Sequence, residues 1–575
     1  MSTSLVPPVD TAVIRAQIEA ADGVARLRAL LEPTADVGPE ISGAVVEEAA
    51  KFSEAWLSPF LSRSDVAGCR IEDGRVKTSP GHPEAWAAYL ESGWLGIDQP
   101  AEYGGQELPQ VLLAACQEIF DRGSVAFGML PTAQRGAARL LAAHADEATR
   151  AEWLPRLVSG EWGATICISE PDAGSDVGRI RTLATPGEDG DWRITGEKIW
   201  ISYGDHDLAS RIGHCLLART PDAPPGGAGL SLFLAPDTLD GTGERNGIVV
   251  RRLEEKLGLH GSPTCAMGFE NARARLIGTQ GRGLAQLFTM IATMRLMVSV
   301  QGLSVAGAAA DVALAYAEDR RQGGSPAEPA LPIARHADVQ RMLMAMASRA
   351  EVLRGLIYSA AVHADLGTLE TDPEARARSQ ALTAWLLPIA KTFAGESAFD
   401  NANEAIQVLG GAGYVRDWPV EQLLRDCRVF TIFEGTSGIQ ALDLVHRRLR
   451  RDEGKGLNAF LALARRDLDR LGAGVPGADA LARTLDLLEA AAALMATANT
   501  DSAAYPFLRL AAYAAMGWSA LRLAAVPGTD PAGRRLAAAG RHWLADLEPK
   551  AVLEDAQIRL GDTRLELFEA LRRPA

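Results

Sequence analysis

The sequence predicts a mainly α-helical protein with one β-rich domain inserted between helical regions. Ala, Leu and Arg dominate long stretches of the 575-residue chain, and these residues favour helices. β-Branched residues concentrate between residues 164 and 280, as expected of strands. The length allows several domains, and a composition of 47% hydrophobic and 23% charged residues is typical of a globular protein. We therefore predict helical, β, helical and helical domains in that order.

The first predicted domain, residues 1–162, is helical. Apolar residues recur at three- and four-residue spacing in "GPEISGAVVEEAAKFSEAWLSPFL" and in "QVLLAACQEIFDRG", which is the period of an amphipathic helix. The N-terminal stretch "MSTSLVPPVDTAVIRAQIEAADG" has no basic segment followed by an apolar one. This pattern argues against a signal or transit peptide and predicts a cytoplasmic protein.

The second predicted domain, residues 163–280, is a β domain. The run "ICIS" at 166–169 predicts a buried strand, and "GLSLFLAP" at 229–236 predicts another because its leucines alternate. The stretch "DWRITGEKIWIS" at 191–202 predicts a hairpin, because apolar residues alternate on either side of Thr195-Gly196.

Helical periodicity returns after residue 280. Residues 281–451 predict a long helical bundle that is interrupted by "QGGSPAEPALP" at 322–332 and "LGGAGYVRDWP" at 409–419, both rich in Gly and Pro. Residues 452–575 are again rich in Ala, Leu and Arg, and they predict a separate C-terminal helical extension.

Charge and motif content exclude several classes of function. The net charge of −15 argues against a general nucleic-acid surface, and residues 451–575 carry 16 Lys and Arg against 16 Asp and Glu. No apolar run approaches the 18 residues of a membrane span. The sequence lacks GxxxxGK[ST], HExxH and GxSxG, its nine histidines are scattered, and the six cysteines form no CxxC pair. We predict free cysteine thiols, no metal site and no membrane span.

Glu434 is a candidate catalytic base from its local sequence. It follows the apolar run at 429–433 and precedes "GTSG" and an apolar-periodic helix that Thr436 or Ser437 can cap. Desolvation by apolar neighbours raises the pKa of a carboxylate and makes it a better proton acceptor, whereas a helix N-terminus partly opposes that shift. The alternative interpretation is an exposed loop glutamate or an ordinary capping residue.

A second candidate region extends from Ile166 to Thr182, "ICISEPDAGSDVGRIRT". Gly174 and Ser175 follow the predicted strand, and backbone N–H groups in such a turn can bind phosphate. A polar turn without a ligand is the alternative. Further along, Trp200 lies near Ser202 on a predicted strand, where an indole could stack on a planar cofactor, although a core tryptophan is the alternative.

Taken together, in this order and spacing, these segments resemble the acyl-CoA dehydrogenase family from residue 40 to 450. The family's flavin-strand motif matches "ICISEPDAGSD", its K-x-W-I-[ST] matches "KIWIS", and its catalytic Y-E-G-T matches "FEGT" at 433–436. The segment "QVLGGAGYVRDWPVEQLLRD" at 407–426 looks like its dimer-contact and flavin segment, and "YAEDRRQGG" at 316–324 resembles its bundle motif. The length, the helical tail and "IQALDLV" resemble the larger subgroup of 3-methylthiopropionyl-CoA and broad-range acyl-CoA dehydrogenases.

The resemblance implies FAD as cofactor and a set of site residues. The residues that would bind FAD are Ile166, Ile168, Ser169, Gly174, Ser175, Trp200, Ser202, Arg320, Gln322, Gln407, Gly410, Gly411 and Thr436. The segments with Arg320 and Gln407 would act across a dimer interface. Ser175 and Arg295 would contact the CoA substrate, although Arg295 is equally compatible with a helix-surface salt bridge. Phe433, Ser169 and Gly438 are mild departures from the family pattern, which has Tyr, Thr and Gln there.

The implied mechanism is abstraction of the substrate α-proton by Glu434 with hydride transfer from the β-carbon to flavin N5, which gives an α,β-unsaturated thioester. An electron-transfer flavoprotein would be the acceptor, and a homodimer or a dimer of dimers the assembly. The alternatives are an acyl-CoA oxidase that uses oxygen, a nucleic-acid-binding flavoprotein of the same fold, and a scaffold or tailoring enzyme. The acyl group, the acceptor, the choice between dimer and tetramer and the role of the extension stay open.

Overall fold

The structure, a computed structural model, describes residues 6–32, 37–240, 242–498 and 501–572. The first five residues of the N-terminal stretch discussed above lie outside the described residues. The chain divides into two compact units. Of the described residues, those at 52–108 and 123–294 form unit 1, and those at 6–51, 109–122 and 295–572 form unit 2. The four domains predicted along the sequence stay a prediction.

Helices dominate both ends of the described chain, as predicted. In chain order they are α1 Thr11–Ala20, α2 Val24–Leu31, α3 Pro39–Phe52, α4 Phe60–Ala67, α5 His82–Glu91, α6 Gln110–His144, α7 Glu147–Ser159, α8 Gly283–Asp319, α9 Ala337–Leu369, α10 Pro373–Leu409, α11 Val420–Cys427, α12 Ser437–Leu442, α13 Lys455–Leu471, α14 Ala478–Thr497, α15 Ala504–Ala524, α16 Pro531–Ala545, α17 Leu547–Arg559 and α18 Thr563–Leu571. Helix α6 breaks at Ser124, whose φ of −167° and ψ of 104° are not helical, next to the boundary between the units.

The strands lie almost entirely in the predicted β region. A short hairpin, which the sequence did not predict, precedes them within the helical N-terminal region. The strands are β1 Arg70–Glu72, β2 Arg75–Lys77, β3 Trp162–Cys167, β4 Leu183–Pro186, β5 Trp192–Ser202, β6 Arg211–Arg219, β7 Leu230–Pro236, β8 Ile248–Leu253 and β9 Thr264–Ile277.

Seven strands, β3 to β9, form one sheet that closes on itself. The order is β3-β6-β4-β5-β9-β7, and β7 pairs a second time with β6. Strand β8 adds to β9, and the parallel contact of β4 with β6 is the single pair Leu183–Arg219. Alternating residues of these strands fill the interior, for example Leu216, Phe233 and Phe269. Closure gives β4, β5, β6, β7 and β9 partners on both sides, whereas β3 and β8 pair with one neighbour each.

The predicted hairpin at 191–202 is wrong. The segment is one continuous strand, β5, and both of its halves pair with the same antiparallel neighbour β9. The register shifts between Ile194 and Gly196, which marks a bulge rather than a turn. Gly196 has a φ of 156°, and a Cβ atom there would lie 2.5 Å from the Thr182 hydroxyl oxygen. Glycine is therefore needed at position 196, because β5 passes very close to Thr182, the residue before β4.

Unit 2 is a helical bundle built on the long helices α8, α9 and α10. The C-terminal extension packs directly on this bundle, because α15 contacts α9, α10 and α12. Helix α15 is almost completely buried, and it combines Phe507, Leu510 and Trp518 with many alanines. The extension is thus part of the core of unit 2.

Within the described residues, one helix passes a simple test for a membrane span by length and composition. This helix is α8, and 94% of its most apolar window is buried inside the protein. A core helix of a bundle meets the same criterion, because its surroundings are other apolar side chains. All six cysteines are free thiols, as predicted, and five of them are buried.

Candidate active site

The candidate base Glu434 lies in a tight, left-handed turn of unit 2. Glu434 and Gly435 have φ values of 52° and 87°, a region that glycine adopts freely and that is strained for other residues. Helix α12 begins three residues after Glu434. As predicted, Thr436 caps it, since its side-chain oxygen accepts from the backbone N–H of Ile439 at 3.2 Å. A π-helix, Asp443–Arg451, continues α12.

Two side chains from helices bind the carbonyl groups of this turn. Lys391 of α10 donates from Nζ to the Gly435 carbonyl oxygen at 2.7 Å. Gln440 of α12 donates from Nε2 to the Glu434 carbonyl oxygen at 2.9 Å and to that of Gly435 at 3.4 Å. Both side chains are fully buried. The left-handed turn is thus fixed from two directions.

The carboxyl group of Glu434 is tuned by burial and by two cations. Although the residue is exposed, desolvation by the surrounding protein raises the pKa of its carboxyl group above the usual value. Lys391 and Arg295 oppose the shift but do not cancel it. Burial lowers the pKa of Lys391 to about 8, Glu434 opposes that shift, and Arg295 adds to it. A carboxylate with a raised pKa and open access is suited to accept a proton.

Arg295 lies in the first half of α8 and is buried. Its Nη1 atom is 2.6 Å from the Asp443 Oδ2 atom of the π-helix. The salt bridge that the sequence allowed as an alternative therefore exists, but it lies inside unit 2 rather than on a helix surface. The predicted contact of Arg295 with CoA stays a prediction.

In unit 1, a buried ion pair organises the loop after β3. Lys198 donates from Nζ to Glu170 Oε1 at 2.8 Å and to the Ile168 carbonyl oxygen at 3.1 Å. Glu170 also accepts from the backbone N–H groups of Arg181 and Thr182, at 2.6 Å and 3.1 Å. The predicted strand ends earlier than expected, at Cys167, because the chain turns to place Glu170 against Lys198.

The predicted flavin residues of unit 1 lie on β3, on the loop after it and on β5. Ile166 is in β3, and Ile168 and Ser169 follow it, all half-buried. Gly174 and Ser175 are exposed in the loop, and no atom lies within 4 Å of a Cβ position at Gly174. Ser202 ends β5 and is half-buried.

Trp200 is not a core residue. It is 58% exposed and has a φ of 62°, at the second register shift of β5, between Lys198 and Ile201. A bulge re-aims a side chain, and here it turns a large aromatic ring towards the outside. The alternative interpretation of Trp200 as a core tryptophan is wrong.

The remaining predicted flavin residues lie on exposed parts of unit 2. Arg320 follows α8, and the Gln322 backbone N–H donates to the Leu331 carbonyl oxygen at 2.8 Å. Gln407 is exposed near the end of α10. Gly410 has a φ of 60°, and no atom lies within 4 Å of a Cβ position at Gly410 or Gly411. Their predicted role across a dimer interface stays a prediction.

Sequence reasoning missed several residues that shape these two regions. They are Lys391, Gln440 and Asp443 in unit 2 and the Glu170–Lys198 pair in unit 1. One signal was present for Lys391, because it is the single charged residue in the apolar stretch "LTAWLLPIAKTFAG" at 382–395. A lone lysine in an apolar helix needs a buried partner.

The exposed features of unit 1 fit a flavin cofactor. A large ring such as isoalloxazine needs an aromatic or apolar platform and nearby backbone donors. Trp200, held outwards by a bulge, and the open loop at Gly174 provide these features. The described residues contain no group of three or more His, Cys, Asp or Glu side chains that could hold a metal ion.

Three family models match most of the chain. The acyl-CoA dehydrogenase N-terminal domain matches residues 43–161, the middle domain matches 165–272, and the C-terminal domain matches 281–449. The candidate base Glu434 lies within the segment that matches the C-terminal model.

Curated relatives and solved structures agree with these models. The chain is 37% identical over 506 residues to a 3-methylmercaptopropionyl-CoA dehydrogenase of Ruegeria pomeroyi, with 85% of this chain and 86% of the relative covered. It is 36% identical over 389 residues to the broad-specificity linear acyl-CoA dehydrogenase FadE5 of Mycobacterium tuberculosis, covering 64% and 63%. In fold it resembles an acyl-CoA dehydrogenase from Bacillus anthracis crystallised with FAD, with a TM-score of 0.76, 20% identity and coverage of 100% and 95%.

Proposed function

The chain belongs to the acyl-CoA dehydrogenase family, and we propose that it oxidises an acyl-CoA thioester to the trans-2,3-enoyl-CoA with FAD as cofactor. This makes it an oxidoreductase that acts on CH–CH donors. The observation that carries the proposal is Glu434, a carboxylate with a raised pKa on a rigid left-handed turn that leaves its side chain accessible.

Glu434 would accept the α-proton of the thioester at its carboxylate oxygen. The thioester carbonyl makes this proton acidic, and general-base catalysis contributes most when the pKa of the base approaches the working pH. Burial moves the pKa of Glu434 in that direction. Lys391 and Gln440 would keep the carboxylate in one orientation by holding the two carbonyl groups of its turn.

FAD would be held by the residues that the family pattern assigns. In unit 1 these are the β3 segment, the Gly174–Ser175 loop and the exposed ring of Trp200, and in unit 2 they include Thr436. When bound, FAD supplies an acceptor for the hydride that leaves the substrate β-carbon. Arg320, Gln322, Gln407, Gly410 and Gly411 would reach a flavin across a dimer interface.

The substrate would be an acyl-CoA, which Ser175 and Arg295 help to bind. The relatives described above are named dehydrogenases rather than oxidases, which favours an electron-transfer flavoprotein over oxygen as the acceptor. A cytoplasmic homodimer or dimer of dimers is part of the same proposal. The neutral charge of residues 451–575 disfavours the alternative of a nucleic-acid-binding flavoprotein.

The test is anaerobic bleaching of the flavin by a panel of acyl-CoA thioesters of different chain length, branching and sulfur content. We expect at least one of them to bleach the flavin of the wild-type protein rapidly. Glu434→Gln should retain FAD and slow bleaching by roughly 10²- to 10⁴-fold, the usual contribution of a general base. Bleaching at the wild-type rate in this variant would refute the assignment of the base.

Admitting air to the reduced protein tests the acceptor. A dehydrogenase should reoxidise slowly in air and rapidly with an electron-transfer flavoprotein, whereas prompt release of peroxide would identify an oxidase. A protein that binds FAD and is bleached by no thioester would point to a scaffold.

A further inference from the structure

Lys391 is a buried cation with an unusual set of partners. Its side chain is fully buried in the middle of α10, and its Nζ atom donates to the Gly435 carbonyl oxygen at 2.7 Å. Among the described residues no carboxylate oxygen is recorded within 4.0 Å of this ammonium group. An ammonium group has three donors and normally needs a carboxylate or several acceptors when it leaves water.

Placing a lysine there is unfavourable for folding. Burying an ammonium group without an ion-pair partner is strongly destabilising, and a methionine or leucine of similar size would pack in an apolar helix without that penalty. The neighbours of Lys391 in α10 are Ile389, Ala390, Thr392 and Phe393, all buried, and the one polar side chain among them, Thr392, donates to the Pro388 carbonyl oxygen of the same helix. The surroundings of Lys391 in α10 therefore do not stabilise a positive charge. The partner of this charge lies at the end of the side chain, at Nζ.

At that end lies the turn that carries Glu434. Left-handed φ values at two successive residues, one of them not glycine, persist only where the surroundings hold them. Lys391 binds the second carbonyl group of this turn, and Gln440 binds the first. The side chain of Lys391 thus contacts the backbone of Gly435, the residue after the base, and not the carboxylate of Glu434.

The charges that face Lys391 come from three sources. Glu434 on the turn favours its charged form, and Arg295 on α8 disfavours it. Glu396, further along α10, favours it from a greater distance, and its own carboxylate is bound by Tyr505 and Arg509 of the extension. Of the two carboxylates, Glu396 is paired with Arg509, whereas among the described residues no cation lies within 4.0 Å of the carboxylate of Glu434.

We propose that Lys391 is a positioning residue for the base: its hydrogen bond to Gly435 fixes the turn, and its positive charge favours the ionised carboxylate of Glu434. The proposal rests on the proposed function of Glu434. A structural lysine would merely support the helix, whereas a positioning lysine changes how the base titrates and how firmly its turn is held.

The experiment uses the full-length, FAD-loaded protein with two substitutions. Lys391→Gln keeps an N–H donor, one bond closer to the backbone, and removes the charge, and Lys391→Met removes both. The rate of anaerobic bleaching by an acyl-CoA that the wild type oxidises is followed as a function of pH. Amide hydrogen exchange of the peptide covering residues 429–440, measured without substrate, reports the rigidity of the turn.

We expect both variants to shift the acid limb of the pH profile to higher pH. A cation near Glu434 lowers its pKa, so removing the cation raises the pKa, and more alkaline conditions are needed to ionise the base. The maximal rate should fall roughly ten- to a hundredfold in Lys391→Met, as expected for a lost charge-assisted hydrogen bond, and less in Lys391→Gln. Hydrogen exchange at 429–440 should accelerate in the Met variant and stay near wild type in the Gln variant.

Two controls separate the possible failures. Lys455→Gln removes an exposed charge at the start of α13 and should change neither the profile nor the exchange. If Glu434→Gln bleaches normally, the proposed function itself has failed. If Glu434→Gln is slow while Lys391→Gln keeps the wild-type acid limb, only the role of Lys391 is overturned. A Lys391→Gln variant that unfolds or loses FAD would mark a structural residue and also overturn the proposal.

Discussion

Lys391 and Arg354 are two buried cations of unit 2 that differ in their hydrogen-bond partners and in the direction of their pKa shifts. Arg354 of α9 forms two hydrogen bonds between its Nε and Nη2 atoms and Glu118 Oε1, at 2.9 Å and 2.7 Å, and it also binds Glu351. Burial alone would lower the pKa of Arg354, but Glu118 and Glu351 raise it far above its usual value. Lys391 has a backbone carbonyl group as its acceptor, and its pKa falls to about 8.

This difference in partners distinguishes Arg354, which has a structural charge, from Lys391, which has a functional one. Around Arg354 the network is continued by Tyr358, Gln17 and Arg535, which all donate to the same two carboxylates. This network pairs Arg354 with carboxylates and joins α1, α6, α9 and α16. Around Lys391 the pairing is incomplete, because among the described residues no salt bridge joins its ammonium group to the Glu434 carboxylate that favours its charged form. Incomplete pairing keeps a group available for chemistry.

The largest effect on stability is expected from Glu118→Gln. The substitution keeps the shape of the side chain but leaves Arg354 with an incompletely compensated charge in the interior, which typically destabilises a protein by about 3–5 kcal/mol. Urea unfolding followed by circular dichroism measures the change. The bleaching rate per bound FAD should stay within about twofold of wild type, a change of only ~0.4 kcal/mol in activation free energy. A large loss of bleaching in folded protein would break the distinction drawn here.

A smaller effect on the free energy of unfolding is expected from the titration of Lys391 at alkaline pH. Its folded pKa of about 8 lies below the value of 10.5 for an unfolded lysine, so the unfolded chain binds more protons between these values. The contribution of Lys391 to the free energy of unfolding therefore rises as pH increases from about 8 to 10.5, by up to roughly 3 kcal/mol. Other groups titrate in this range, so the quantity to compare is wild type minus Lys391→Gln. If the unfolding free energy of the wild type minus that of Lys391→Gln stays constant between pH 7 and 10, the claim that Lys391 is incompletely paired is wrong.

The smallest effect is expected for an exposed pair of the extension. Arg465 of α13 contacts Asp486 at 3.0 Å and Glu489 at 2.7 Å, and all three side chains are largely in solvent. Arg465→Ala should change the free energy of unfolding by less than about 1 kcal/mol and leave bleaching unaltered. A loss of unfolding free energy as large as that of Glu118→Gln would show that burial does not distinguish the ion pair of Arg354 from that of Arg465.

The order of helical and β regions could be predicted because periodicity and β-branching are properties of consecutive residues. The position of Glu434 just before a helix that Thr436 or Ser437 could cap was predicted for the same reason, and Thr436 is the residue that caps it. The comparisons confirm the family, whereas the roles of the motif residues stay predictions. The hydrogen bond of Lys391 to Gly435 spans 44 residues, and the ion pair of Arg295 with Asp443 spans 148. No local pattern encodes such contacts, because they depend on how helices pack.

The hairpin at Thr195-Gly196 was predicted wrongly for a related reason. A glycine between two alternating runs is typical of a turn and of a bulge alike. The two possibilities differ in whether the flanking runs pair with each other or with a third strand, here β9. Trp200 could likewise not be placed from its neighbours, because the bulge that exposes it is set by the register of β9.

The left-handed backbone at Glu434 has a consequence for the evolution of the protein in the laboratory. Asn and Gly adopt a φ near 52° with less strain than Glu does, by an amount on the order of 1 kcal/mol. A mutant library that is sorted for heat resistance alone should therefore accumulate Asn or Gly at position 434 and lose its catalysis. Selection for turnover is what would keep a glutamate there against that drift.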